Sequence, residues 1–87
     1  MKIKDGFVIR EVAGSFIVVA VGEAVKNFNG IINLNETGAF LWKILESGAT
    51  KEELVAKLLE EYDVDEKTAM EDVGKFINKL SEAKLVK

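Results

Sequence analysis

The chain has no cysteine and no histidine among its 87 residues. Without cysteine there is no disulfide framework and no thiolate metal site. Without histidine the usual general base and the commonest zinc ligand are missing. A nucleophile would have to be Ser, Thr, Lys or a carboxylate, none with an evident partner. No glycine-rich phosphate loop or dinucleotide fingerprint occurs. No apolar run approaches the ~20 residues that a membrane span needs. The opening MKIKDG lacks a signal-peptide core, because charge returns within a few residues. These absences argue against an enzyme, a resident cofactor or metal, and a membrane partner. They make the cytoplasm the expected location.

What is present describes a small globular domain. Hydrophobic residues make up 48% and charged residues 31% of the chain, a balance that sets it apart from disordered segments. The length fits one domain, residues 1–87, with a thin core that buries roughly 60–65% of the unfolded surface. The formal charge of −3 gives no general attraction to nucleic acid. The acidic pairs Glu52-Glu53, Glu60-Glu61 and Glu71-Asp72 lie on amphipathic stretches and read as solvated helix faces.

The first half reads as strand. Met1 to Gly6 is a polar lead-in. Phe7 to Val12 alternates, and Ala13-Gly14 reads as a tight turn with Gly14 free to take positive φ. Ser15 to Val21 is apolar on both faces from Phe16 onward, which suits a central strand covered by helices on one side and open to a partner on the other. Gly22 to Gly30 is an irregular stretch with turn formers Gly22, Asn27, Asn29 and Gly30, and Phe28 is expected to anchor it by packing. Ile31 to Leu34 gives a third strand, short enough to be a sheet edge.

The second half reads as helix. Asn35 is the expected N-cap of a first helix carrying Phe40, Leu41, Trp42, Ile44 and Leu45, closed by Gly48. Thr50 and Glu53 form a capping box for a second helix striped by Leu54, Val55, Leu58, Leu59 and Tyr62. Asp65 caps a third helix from about Glu66 to Ala83. On that helix Ala69, Met70, Val73, Phe76, Ile77, Leu80 and Ala83 fall within an arc of roughly 140°. Met70 and Ile77 sit at one margin, with Gly74 just beyond. Lys67, Glu71, Lys75, Asn78 and Lys79 are assigned to the opposite, solvated face. Leu85-Val86 is an extended tail that can pack back. The order predicts an α+β fold, a three-stranded antiparallel sheet followed by three helices.

The run from Leu34 to Val86 resembles the PqqD family, named for a protein of pyrroloquinoline quinone biosynthesis. The shared features are LNETGA–LW at Leu34 to Trp42, Gly48, T-x-E-E-L at Thr50 to Leu54, and Y-x-V-x at Tyr62 to Asp65. V-x-x-F-[IL]-x-x-L at Val73 to Leu80 and the terminal Leu85-Val86 follow. Lys84 stands where the family often has Gly. The resemblance implies a winged-helix-like fold that recognises the leader of a ribosomally made precursor peptide. It implies presentation of that leader to a modifying enzyme, typically a radical SAM enzyme. The leader would add as a strand beside the third strand, in a groove bounded by the third helix. Gly30, Ile31, Ile32 and Asn33 would then be the docking edge. Met70, Gly74 and Ile77 would line the other wall, with the Met70 thioether adapting to varied partners.

Three readings stand at this point. One is the peptide-binding adaptor. The second is a winged-helix DNA-binding module, with the third helix in a major groove and Lys67, Lys75, Asn78 and Lys79 facing phosphate. The third is a subunit that stabilises a larger enzyme. For Ile31, Ile32 and Ile77 the alternative to a binding role is plain core.

Overall fold

A computed structural model describes residues 1–26, 28 and 30–87 of the chain. Three strands precede three helices: β1 (Phe7–Val12), β2 (Ser15–Ala20), β3 (Ile32–Leu34), α1 (Glu36–Glu46), α2 (Lys51–Glu61) and α3 (Glu66–Glu82). The sheet is antiparallel in the order β1-β2-β3, which makes β2 central and β3 an edge. The α+β architecture expected from the sequence is the one observed.

The turn between β1 and β2 sets the phase of the whole sheet. Ala13 (φ 51°) and Gly14 (φ 80°) both have positive φ, the signature of a two-residue type I′ hairpin. Such a turn is closed by a hydrogen-bonded pair, here Val12 and Ser15. Alternation along the ladder then makes Gly6 and Val21 another bonded pair, and the Val21 N–H does donate to the Gly6 carbonyl at 2.8 Å. Odd-numbered residues of β2 therefore bond to β1. Even-numbered residues, Phe16 and Val18, bond to β3 through their partners Leu34 and Ile32.

Each helix start is held by the residue the sequence nominates. Asn35 Oδ1 accepts from Gly38 N–H at 2.7 Å, and Asp65 Oδ1 accepts from Thr68 N–H at 2.7 Å. Thr50 and Glu53 complete a reciprocal capping box at 2.9 and 3.1 Å. These bonds stabilise the ionised carboxylates, so Glu53 and Asp65 both titrate below their usual range.

The core joins Val18 and Leu34 of the sheet to Leu41, Trp42, Leu45, Leu54, Leu58, Val73, Phe76 and Leu80 of the helices. Trp42 is fully buried, and its indole N–H has no hydrogen-bond partner among the described residues. Phe28 packs edge-on against Phe7 with centroids 5.3 Å apart, the anchoring role expected of it. Phe40 and Tyr62 make a similar contact at 5.5 Å. Leu59, expected in the α2 stripe, is instead exposed.

Two segments differ from expectation. Gly22–Lys26 forms a 3₁₀ turn where irregular chain was expected, and Asn27 and Asn29 lie outside the described residues. Met1 to Gly6 is more than a polar lead-in, because Ile3 is buried in the core and bridges Val86. Lys4 N–H donates to the Leu85 carbonyl and Lys87 N–H to the Lys2 carbonyl, each at 2.8 Å. The Met1 carbonyl accepts from Ala49 N–H at 2.9 Å, so the first residues also seal the end of α1. One apolar residue between lysines gives no periodicity to read, which is why Ile3 escapes a sequence pattern. Leu85 is fully buried, as a tail packing back requires.

The end of α3 carries a strained residue. Leu85 N–H donates to the Leu80 carbonyl at 2.9 Å and Lys84 N–H to the Ser81 carbonyl at 3.0 Å. This is the pair of hydrogen bonds of a Schellman motif, which needs a left-handed residue at the position after the cap. Lys84 fills that place at φ 61°, where a Cβ is disfavoured. Replacing Lys84 with Gly removes that strain at some cost in unfolded-chain entropy. The variant is expected to gain about 0.5–1 kcal/mol in urea unfolding. A loss of stability would mean that the Lys84 side chain contributes more than its backbone costs.

Candidate functional site

β3 is short because it runs straight into α1. Leu34 ends the strand and Asn35 caps the helix in the next residue. Gly38, one turn into α1, lies so close beneath Leu34 that a Cβ there would stand 3.3 Å from the Leu34 Cβ. The strand and helix are thus locked at a close angle, which holds the outer edge of β3 in one position.

That edge is open in an alternating pattern. Ile32 and Leu34 direct their N–H and C=O groups inward to β2, as the ladder phase requires. Asn33 directs both groups outward. Its carbonyl is met by the Lys79 ammonium of α3 at 2.6 Å. The side chains alternate the other way. Ile32 packs on the core and Leu34 is buried, while Asn33 is exposed and Ile31 is 56% exposed. Gly30 precedes them, exposed and at φ 108°.

Across from this edge stands α3. Asp72, Lys75, Phe76 and Lys79 of α3 face Leu34, Asn35, Thr37, Gly38 and Leu41 across a groove of roughly 190 Å³. Leu34, Leu41 and Phe76 give it apolar surface, Asn35 and Thr37 polar surface, and Asp72, Lys75 and Lys79 a charged α3 rim. A second hollow, lined by Glu11, Ser15, Phe16 and Glu36, flanks the far end of β3 and shares Leu34 and Asn35. Among the described residues the ion pairs are Lys26–Glu23 at 3.2 Å and Lys57–Glu60 at 3.7 Å. Both are exposed and worth little, and neither involves the groove. Those residues hold no cluster of metal-ligating side chains.

The structure brings together only part of the site expected from the sequence. Gly30, Ile31, Ile32 and Asn33 form the edge. Met70 instead lies between α2 and α3, beside Lys51, Glu52, Val55, Ala56, Leu59 and Glu66. Ile77 packs on the core and Gly74 faces open space. The wall facing β3 is the other margin of the α3 stripe. Lys79 and Lys75, assigned to the solvated face, stand on that wall. The physical reason is symmetry: a helical stripe has two margins, and its period does not say which one meets the sheet. What separates them is the bond from Lys79 to the Asn33 carbonyl, a contact between residues far apart in sequence with no local signal.

The family model described as "Coenzyme PQQ synthesis protein D (PqqD)" matches residues 16–86. Two solved structures share the fold. One is "TbiB1 in Complex with the TbiA(beta) Leader Peptide", 26% identical, covering 100% of this chain and 95% of that one, with a TM-score of 0.77. The other is "Lasso peptide synthetase B1 complexed with the leader peptide", 18% identical, covering 93% of this chain and 89% of that one, with a TM-score of 0.70. No curated protein matches the chain.

The alternation at the edge has a direct readout. In the free protein the Asn33 amide is expected to exchange with solvent much faster than those of Ile32 and Leu34, which are bonded to β2. Residue-resolved hydrogen exchange checks it. Equal protection of all three would mean that the strand is paired on both sides or that the ladder phase is shifted.

Proposed function

The chain belongs to the PqqD family, and we propose on that premise that it is a peptide-binding adaptor. It takes the leader of a ribosomally made precursor as an added strand along β3 and presents it to a modifying enzyme, typically of the radical SAM type. It works in the cytoplasm, where such precursors are made, and does no chemistry itself. The whole chain, residues 1–87, acts as one domain.

One observation carries this reading. Asn33 offers an outward N–H and C=O on an open edge, and Lys79, from the α3 wall of the adjoining groove, reaches that carbonyl. Strand addition needs main-chain partners for affinity and pockets for alternate side chains for specificity, and this edge has both. The TbiB1 neighbour, described as a complex with a leader peptide, is similar over the whole chain. Among the described residues no helix is long and apolar enough to cross a membrane. No observation favours the DNA-binding alternative, since Lys75 and Lys79 line the groove toward β3.

The docking residues follow from the edge geometry: the backbone of Gly30 to Asn33, and the α3 wall of Asp72, Lys75, Phe76 and Lys79. A pair of proline substitutions separates the edge from the fold. Asn33→Pro removes the outward N–H at an edge position, where proline is tolerated. Ile32→Pro removes a bond to β2 and is expected to destabilise the domain. Asn33→Pro is expected to stay folded by circular dichroism. It should weaken binding of a leader encoded beside this chain by about 0.5–1.5 kcal/mol, the net worth of one hydrogen bond. Met70→Glu, on the α2 side, should stay within about 0.5 kcal/mol, as an exposed change does. Titration calorimetry measures all three. Unchanged binding in folded Asn33→Pro would remove β3 from the site.

A further inference from the structure

Lys79 occupies the atom that an incoming strand needs. Its ammonium donates to the Asn33 carbonyl at 2.6 Å, and that carbonyl is the outward acceptor of the free edge. An added strand would run about 4.8 Å from β3, through the space that the Lys79 head now fills. Lysine over an open edge also blunts it against unwanted pairing. Binding must therefore displace this side chain, and the ammonium must find another acceptor beside a surface the peptide has partly dried.

The acids of its own helix lie outside the groove or far along it. Glu82, one turn on, is exposed and does not line the groove, and Asp72, the acidic group on the same wall, stands seven residues away, ~10 Å along the helix. Lys75 is one turn away and carries the same charge as Lys79. Among the described residues neither lysine has a carboxylate at ion-pair distance. The α3 rim of the groove is thus net positive on a chain whose formal charge is −3.

Resting on the adaptor reading, we propose that Lys79 is a specificity residue. It guards the free carbonyl of Asn33 and yields it to a peptide that brings a carboxylate on its groove-facing side. The ligand class is then an extended leader segment with Asp or Glu placed to take the released ammonium. A strand without that acid must displace Lys79 toward solvent and the exposed Glu82, with no acceptor beside Asn33 itself. This makes a prediction that reverses sign. Removing Lys79 should harm acidic peptides, and should leave their amide counterparts unharmed or improved.

The experiment uses the full chain and a displayed library of random twelve-residue peptides. Selections against wild type, Lys79→Ala and Lys79→Arg are sequenced, with Lys67→Ala as a solvent-face control. The best wild-type binder and its acid-to-amide analogue are then titrated by calorimetry. Wild type should enrich Asp or Glu at one position of the selected peptides. Lys79→Ala should lose that enrichment, while Lys79→Arg and Lys67→Ala should keep it. Lys79→Ala should bind the acidic peptide about two- to fivefold more weakly, the range of an exposed ion pair, and should bind the amide analogue equally or better. Selection of peptides with no acidic preference, or with a preference that survives Lys79→Ala, overturns the role of Lys79 and leaves the adaptor standing. Selection of no peptide by any of these proteins overturns both.

Discussion

The hydrogen-bond phase of a three-stranded sheet decides what this molecule offers to a partner. The two-residue turn at Ala13-Gly14 forces Val12 and Ser15 to be a bonded pair. Strict alternation carries that choice across β2 to β3, where it turns Asn33 outward and Ile32 and Leu34 inward. A one-residue change of phase would reverse every assignment and move the apolar side chains to the wrong face. The open edge is therefore a consequence of a hairpin on the far side of the sheet.

A free edge is useful only if its opposite wall is fixed. Here the fixing is local and dry. Asn35 ends β3 and begins α1 in a single residue, and Gly38 lets the helix come within contact of Leu34. Trp42, Leu41 and Leu45 then bury α1 against the other helices, and truncating a leucine in such a core costs about 2–5 kcal/mol. The two chain ends close the far side, through the bridge between Ile3 and Val86 and the bond from Ala49 to Met1. The indole N–H of Trp42 finds no partner among the described residues, a desolvation cost that the packing around it must outweigh.

Much of the fold was legible because its signals are local. Asn35, Thr50 with Glu53, and Asp65 each announce a helix by the bond their own side chain makes a turn ahead. The α1 and α2 stripes and the Ala13-Gly14 turn are equally short-range. What was not legible depends on contacts far apart in sequence. Ile3 stands alone between lysines and becomes core only because Val86 reaches it. Lys84 looks like an ordinary surface residue, and its left-handed backbone follows from the bond between Leu85 and Leu80. Of the candidate site, Gly30 to Asn33 was readable as a short edge strand. The alternation within it was not, since it is inherited from β1 and β2. The resemblance implies a wall at the Met70 margin of α3, and the helical period by itself does not choose between the two margins. In the structure it is Lys79, at the other margin, whose long side chain reaches the edge carbonyl.

The central claim is that a peptide becomes the fourth strand of this sheet at β3. The most direct measurement is isotope-filtered NMR on labelled chain with an unlabelled bound peptide. Strand addition predicts nuclear Overhauser contacts from the backbone protons of Ile31, Ile32 and Asn33 to backbone protons of the peptide. Contacts confined to Val55, Leu59 and Met70, with the β3 backbone silent, would place the peptide between α2 and α3 and contradict the account.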